Sequence, residues 1–191
     1  MVSASPSICQ DLQTFLLQPE TKPAREWWHG RILEKPMPQG KHSLIQGELI
    51  AFLNHSLKPQ RLALALPELR CTFAGRSIVP DIAVITWEHL PVDPDGTLSN
   101  TITFCPQWLI EILSPEQPQT YLIGKILESF DHGCEMGWLI DPQAQAVLCF
   151  SPPGRLHLLD DPSQALPMPA WAKDISLTVG TLFGWMQVKL S

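Results

Sequence analysis

The stretch CPQWLIEILSPEQ, residues 105–117, places Glu111 inside an otherwise apolar run that begins at Trp108 and ends at Leu113. Side chains alternate between the two faces of a strand, and this run is apolar on both faces. The run IAVI, residues 82–85, has the same character. Strands that are apolar on both faces are typical of a sheet that is covered on both sides.

Two segments with apolar residues at helical spacing could cover such a sheet. They are HSLIQGELIAFLNHSL, residues 42–57, and TYLIGKILESFDHG, residues 120–133, and Gly133 is a natural stop for the second helix. A shorter helix is predicted over 9–17. Helices that alternate with strands predict an α/β fold with a central mixed β-sheet flanked by helices.

The other predicted strands are short apolar segments separated by Pro, Gly and Asp. We predict one strand over 25–36 with a bend at Gly30, a strand, turn and strand over 61–73, strands over 77–86 and 137–142, a hairpin partner over 146–152, edge strands over 155–160 and 174–179, and a closing segment over 181–188. Residues 91–100 are predicted to form a loop. Because the chain has 191 residues, no repeat and no long linker, we expect residues 1–191 to form a single domain.

The composition limits the classes of partner. The net charge is −6, whereas tight non-specific binding of nucleic acid favours a strongly basic chain. This balance still permits a local basic site. Charged residues make up only 17%, against about 25% in an average protein, so either much of the chain is buried or some apolar surface is left for a partner. We favour the second explanation and expect a homo-oligomer, for example a dimer.

Cysteine use and the N-terminus predict a cytoplasmic protein. The five cysteines are odd in number and form no CxxC pair, which favours reduced, mostly buried thiols over disulfides or a zinc ribbon. The first residues show neither a basic nor an apolar signal region, and no apolar run approaches the ~18 residues that span a membrane. We therefore expect no membrane partner.

Two carboxylates interrupt apolar strands, and their surroundings suggest a shared site. Glu111 lies within its strand, and Asp81 directly follows Pro80 and opens the run IAVI. A buried carboxylate must be neutralised, paired or bound to a cation. Taken singly, Glu111 could pair with Arg or Lys or lie at a sheet end, and Asp81 could be a turn or strand-end residue. On neighbouring strands, the two could share a divalent cation, and oxygen ligands suit Mg²⁺ or Mn²⁺.

Longer motifs resemble a known family. Pro80-Asp81 followed by Glu111 is similar to the PD-(D/E)XK nucleases, although Leu113 stands where the standard pattern has Lys. The closer resemblance is to the Uma-two family of restriction-endonuclease-like proteins. It is carried by REWWHGRI, KHSLIQGEL, VPDIAVI, LIEILSPEQPQTYLIGK and HGCEMGWLIDP, and it extends from about residue 10 to 185.

The resemblance implies a restriction-endonuclease-like fold and Mg²⁺-dependent (or Mn²⁺-dependent) hydrolysis of DNA phosphodiester bonds. The nuclease-like core would cover about residues 20–150, and residues 151–191 would add the C-terminal strands and closing segment. The implied metal ligands are Asp81, Glu111 and the backbone carbonyl of Ile112. Lys125, eleven residues after Ser114, would be the catalytic lysine displaced onto the following helix.

Two further residues match the family pattern, but the resemblance does not assign them a single role. Glu26 could be a third carboxylate at the metal or a partner for an arginine. His42 could donate a hydrogen bond to a phosphate or stack in the cleft, or it could only begin its helix. Lys125 lies roughly 130° from the centre of the apolar face of its helix, so a solvated lysine is the competing interpretation.

A second hypothesis is a non-catalytic interaction or regulatory module that retains the nuclease scaffold. It is favoured by the acidic net charge, by Leu113 in place of the standard Lys, and by Tyr121 where the family often has an acid. Met136 and Gly137 also depart from the family, which has Glu and Tyr before the last Trp-x-x-Asp-Pro. None of these changes affects the Asp81–Glu111 pair.

Overall fold

A mixed six-stranded sheet forms the centre of the chain. The computed structural model describes residues 11–115 and 117–188. The strands are β1 (Arg25–Trp28), β2 (Arg31–Glu34), β3 (Ala63–Pro67), β4 (Cys71–Phe73), β5 (Arg76–Ile78), β6 (Ile82–Thr86), β7 (Trp108–Ile112), β8 (Met136–Asp141), β9 (Ala146–Ser151) and β10 (Arg155–Leu159). The α-helices are α1 (Leu12–Leu16), α2 (Gly40–Leu57), α3 (Gln119–Phe130) and α4 (Val179–Gly184), and short 3₁₀ turns lie at Trp87–His89 and Ala170–Ala172.

The strand order of the central sheet is β10-β9-β8-β7-β6-β3. Strands β7 and β8 pair in parallel, and helix α3 connects them, as a parallel crossover requires. The other neighbouring pairs of this sheet, within the described residues, are antiparallel. The predicted α/β fold with a central mixed sheet is therefore confirmed.

Apolar cores lie on both faces of this sheet, as the double-sided apolar strands predict. One core packs alternate strand residues such as Trp108 and Ile110 with Leu49 of α2 and Leu182 of α4. The opposite core packs Leu109 with residues of α3 and of the smaller sheet. At Gly137, a Cβ atom would lie 2.2 Å from the Cγ2 of Ile126. The side chain of this α3 residue therefore fills the space that a larger residue at position 137 would need.

A four-stranded sheet with the order β2-β1-β5-β4 stands beside this second core. The single bent strand predicted over 25–36 is wrong: the segment is the hairpin β1–β2. His29 and Gly30 have φ values of 48° and 73°, the left-handed pair that closes a two-residue hairpin turn. The chain reverses here because Gly30 adopts this conformation at no steric cost.

The remaining elements agree with the prediction except at three places. The segment 77–86 is two strands, β5 and β6, because Val79 and Pro80 separate them. The segment 174–179 forms only an isolated bridge between Ala165 and Thr178, so the predicted second edge strand is wrong. Helix α1 is shorter than the predicted 9–17, of which residues 9 and 10 lie outside the described part.

The four described cysteines, Cys71, Cys105, Cys134 and Cys149, are buried and free, as expected.

No helix in the described ranges is both long enough and apolar enough to cross a membrane.

Candidate active site

Asp81 and Glu111 lie next to each other on the face of the sheet that α3 covers. Strands β6 and β7 are antiparallel, with Ile82 opposite Ile110. One position further along this register, Asp81 therefore lies opposite Glu111. The carboxylate of Asp81 accepts a hydrogen bond of 2.7 Å from the backbone N–H of Ile112. Asp81 is 2% exposed and Glu111 is fully buried, so both carboxylates are removed from water.

The ammonium group of Lys35 connects the two acids. Its Nζ lies 2.6 Å from Oδ1 of Asp81 and 3.6 Å from Oε2 of Glu111. It also donates a hydrogen bond of 2.7 Å to the carbonyl oxygen of Val79. Both carboxylates are thus within reach of a single cationic group.

Lys125 forms a second cationic centre on the inner side of the acids. Its side chain is fully buried, so the solvated interpretation of this lysine is wrong. The Nζ lies 2.8 and 3.1 Å from the two oxygens of Glu26 and 2.7 Å from Oε1 of Glu111. The flexible stem lets a residue off the apolar face of α3 reach the strands.

Glu26 is held by three donors. Besides Lys125, the hydroxyl of Tyr121 donates to its Oε2 at 2.6 Å, and the backbone N–H of Val79 donates to its Oε1 at 2.6 Å. The partner of Glu26 is therefore a lysine, and the arginine considered from the sequence is not the residue that neutralises it. Tyr121, which departs from the family pattern, takes part in this network.

His42 is buried in the first turn of α2 and points at the same acid as Lys35. Its Nε2 lies 3.2 Å from Oδ2 of Asp81, and its Nδ1 is buried with no hydrogen-bond partner among the described residues. His42 therefore belongs to the cluster and does more than begin the helix.

Burial and charge act in opposite directions on the acids. Burial would raise the pKa of Asp81, but the Lys35 ammonium and His42 outweigh it and hold the pKa well below its ordinary value. Burial likewise opposes ionisation of Glu26, yet Lys125 and Lys35 lower its pKa. For Glu111, burial prevails over both lysines and raises the pKa to about 7.

The lysines are held in the charged form. Burial by itself would lower the pKa of Lys35 and Lys125, but the carboxylates around each one raise it, with Glu111 the largest contributor to both. Three buried carboxylates, those of Glu26, Asp81 and Glu111, therefore face two ammonium groups.

Two clefts border the cluster. One has a volume of about 410 Å³ and is lined by Asp81, Lys35, His42 and Arg70, among others. The second has a volume of about 620 Å³ and includes Glu26, Lys35 and Tyr121 in its lining. Asp81 and Glu26 therefore lie at surface that a ligand can reach, whereas Glu111 lies deeper and is in the lining of neither of these two clefts.

The donor set fits a small divalent cation. Among the described residues, no three His, Cys, Asp or Glu side chains are arranged as a complete metal cage. Mg²⁺ does not need such a cage, because it commonly uses one or two carboxylates together with water and substrate oxygens. Asp81 and Glu111 already share one cation, the Lys35 ammonium, and neither oxygen of Glu111 has a well-aligned hydrogen-bond partner within the described chain.

The sequence-predicted residues Asp81, Glu111, Lys125, Glu26, His42 and the backbone of Ile112 thus come together. Sequence reasoning missed Lys35. It lies between the exposed Glu34 and the half-buried Pro36, and no local pattern marks it as buried. The one available signal was the need for cations to compensate several buried acids.

Comparisons with known proteins identify the family and the fold of the chain. The sequence model of the Uma2 (Uma-two) family, described as "putative restriction endonuclease", matches residues 12–180. A crystal structure of a "putative nuclease belonging to DUF820" from Anabaena variabilis ATCC 29413 is similar to this chain with a TM-score of 0.91 and 45% sequence identity. The similarity covers 93% of this chain and 99% of that one. No protein with a curated description matches the chain.

Proposed function

The chain belongs to the Uma2 family of restriction-endonuclease-like proteins, and we propose that it hydrolyses DNA phosphodiester bonds with the help of Mg²⁺ or Mn²⁺. The observation that carries this proposal is the convergence of two buried carboxylates on one cationic group at the edge of a cleft. Asp81 and Glu111 lie 2.6 and 3.6 Å from the same ammonium nitrogen. Two acids in such proximity repel each other unless a cation lies between them.

Asp81 and Glu111 would hold the divalent cation, and the backbone carbonyl of Ile112 would be a third ligand. When bound, such a cation lowers the pKa of a water ligand and polarises a phosphoryl oxygen. The N–H of Ile112 and the Nε2 of His42 both contact Oδ2 of Asp81 and so fix the orientation of its carboxylate. Because its orientation is already fixed, the Asp81 carboxylate needs little rearrangement when the cation binds.

Lys125 supports the site from beneath. Its ammonium holds the carboxylates of both Glu26 and Glu111, and Tyr121 adds a hydrogen bond to Glu26. Because Lys125 is fully buried, it positions the acids and offsets their charge without contact with solvent. In this arrangement the Glu26 carboxylate keeps the Lys125 ammonium in place.

The 410 Å³ cleft is the side from which DNA would approach. Lys22 and Arg70 contribute to its lining together with His42 and Asp81. Glu20 and Glu68 also line this cleft, and Glu20 pairs with Arg70, so the lining has mixed charge. DNA would be positioned there by contacts between its phosphates and the basic side chains, which hold nucleic acid in place without reading its sequence.

The test is nicking of a supercoiled plasmid in the presence of Mg²⁺ or Mn²⁺. We expect the wild type to convert the plasmid to open-circle and linear forms. Asp81→Asn should lower the rate by at least about 100-fold, since even loss of the groups that orient metal ligands costs about 10–100-fold. Asp160→Asn, at an exposed acid outside the cluster, should match the wild type. An undiminished rate in Asp81→Asn would refute the assignment.

One observation favours the second candidate, a non-catalytic module on the same scaffold. Lys35 and Lys125 pair with all three buried acids, so the cluster is largely neutralised by the chain itself. Under that function the folded wild type would nick no plasmid, and Asp81→Asn would change stability alone.

A further inference from the structure

Lys35 takes a position that resembles that of a bound cation. Three oxygens surround its Nζ, from the carbonyl of Val79 at 2.7 Å, Asp81 at 2.6 Å and Glu111 at 3.6 Å. The ammonium group donates hydrogen bonds to the first two of these oxygens, and at 3.6 Å the Glu111 oxygen is an ion-pair neighbour without a hydrogen bond. Two of the three belong to the carboxylates assigned to the metal.

From this geometry we propose that the Lys35 ammonium and a divalent cation compete for the same place between Asp81 and Glu111. The inference rests on the proposed function, because it concerns the same two acids. One cation bound there excludes the other, since two positive charges in a buried site repel each other strongly. Binding of the metal therefore requires the Lys35 ammonium to leave.

The two lysines of the cluster differ in their freedom to leave. The side chain of Lys125 is 0% exposed, whereas that of Lys35 is 9% exposed and lines both clefts. Lys35 also stands at the end of β2, where the chain continues into a segment without regular structure before α2. Its four-carbon stem thus has open space on two sides, and Lys125 has none.

The charge count supports an exchange at Lys35. Three carboxylates against two ammonium groups leave one negative charge when all are ionised, so the cluster still attracts positive charge. Replacing the ammonium of Lys35 by a dication raises the positive charge by one unit and balances the three acids. Replacing Lys125 would instead remove the charged member of the three donors that hold Glu26.

The test is calorimetric titration of Mn²⁺ into the wild type and into Lys35→Met, which keeps the length of the side chain and removes its charge. We expect Lys35→Met to bind Mn²⁺ at least about 10-fold more tightly, because the internal competitor is gone. Lys41→Met is the matched control, since Lys41 is an exposed lysine in the first turn of α2. Any gain in that variant measures the general effect of losing one positive charge, and we expect it to be much smaller.

A second measurement uses the wild type alone and is independent of how the variant folds. Lys35 is labelled with an amine-acylating reagent with and without Mn²⁺, and modification is read by mass spectrometry. Release of Lys35 predicts stronger labelling when Mn²⁺ is present, while labelling of Lys41 stays constant. Labelling of Lys35 that is unchanged by saturating Mn²⁺ would overturn the competition.

The outcomes separate this inference from the proposed function. If the wild type binds Mn²⁺ and Lys35→Met binds it no more tightly, competition is wrong and the metal site stands. If Mn²⁺ binds Lys35→Met and not the wild type, competition is supported and the non-catalytic candidate gains. If neither protein binds Mn²⁺, the metal site itself is wrong, and the inference falls with it.

Discussion

Lys125 and Glu128 lie one turn apart on helix α3, and both pair with the β1–β2 hairpin, but in opposite environments. Lys125 is fully buried and contacts Glu26 of β1. Glu128, with a side chain 35% exposed, lies 2.9 Å from His29 at the hairpin turn and 3.1 Å from Arg76 of β5. The same two elements are thus connected twice, once inside the protein and once at its surface.

The two ion pairs differ in how much they can stabilise the contact between helix and hairpin, and this difference indicates which of them serves a function. Water and salt screen the surface pair, and such pairs contribute about 0–1 kcal/mol. The buried pair carries a large desolvation cost, so it is a poor way to attach a helix to a hairpin. Its presence is better explained by the need to keep the Glu26 carboxylate ionised beside a cleft, since Lys125 lowers the pKa of that acid against the effect of burial.

The largest expected effect on stability comes from removing the charge of Lys125, the buried partner. Lys125→Met should lower the free energy of unfolding by about 3–5 kcal/mol, because it leaves Glu26 and Glu111 buried without their ammonium partner. The matched change at the surface, Glu128→Gln, should cost no more than about 1 kcal/mol. Urea unfolding of both variants measures the two values. Equal losses would contradict the distinction between the pairs.

A smaller effect is the pH dependence of stability that arises from Glu111 in the buried cluster. The folded-state pKa of Glu111 is raised to about 7 from 4.5, so in this range the folded protein holds a proton that the unfolded chain has released. Stability contributed by Glu111 is complete below pH 4.5 and declines as the pH rises through 7. The slope cannot exceed about 1.4 kcal/mol per pH unit for one proton.

The pH effect is measured as the difference in free energy of unfolding between the wild type and Glu111→Gln at pH 5, 6, 7 and 8. We expect the advantage of the wild type to shrink over this range. A constant or growing advantage would mean that the two lysines keep Glu111 ionised throughout. Glu128→Gln should show no comparable trend.

Sequence alone predicted the layers of the fold because periodicity reports burial. The double-sided apolar strands β6 and β7 required covering layers, and helices α2 and α3 were visible at helical spacing. The β1–β2 hairpin was missed because its turn is His29-Gly30, which lacks the Asn or Asp that usually signals a type I′ turn. Its strands also lack strict alternation.

The site was predicted in part for a similar reason. Asp81 and Glu111 were visible because a charge in an apolar strand is conspicuous, and their neighbouring strands bring them together. Lys35 and the burial of Lys125 depend on long side chains that reach back from the end of β2 and from α3. Such contacts join residues 46 positions apart, as for Lys35 and Asp81, and no local pattern reports them.

The central claim is that Asp81 and Glu111 together bind a divalent cation, and thermal unfolding with Mn²⁺ tests it most directly. Binding to the folded state raises the melting temperature, increasingly so above the dissociation constant. We expect millimolar Mn²⁺ to raise the melting temperature of the wild type and to leave that of Glu111→Gln unchanged. No rise in the wild type, or an equal rise in Glu111→Gln, would contradict the claim.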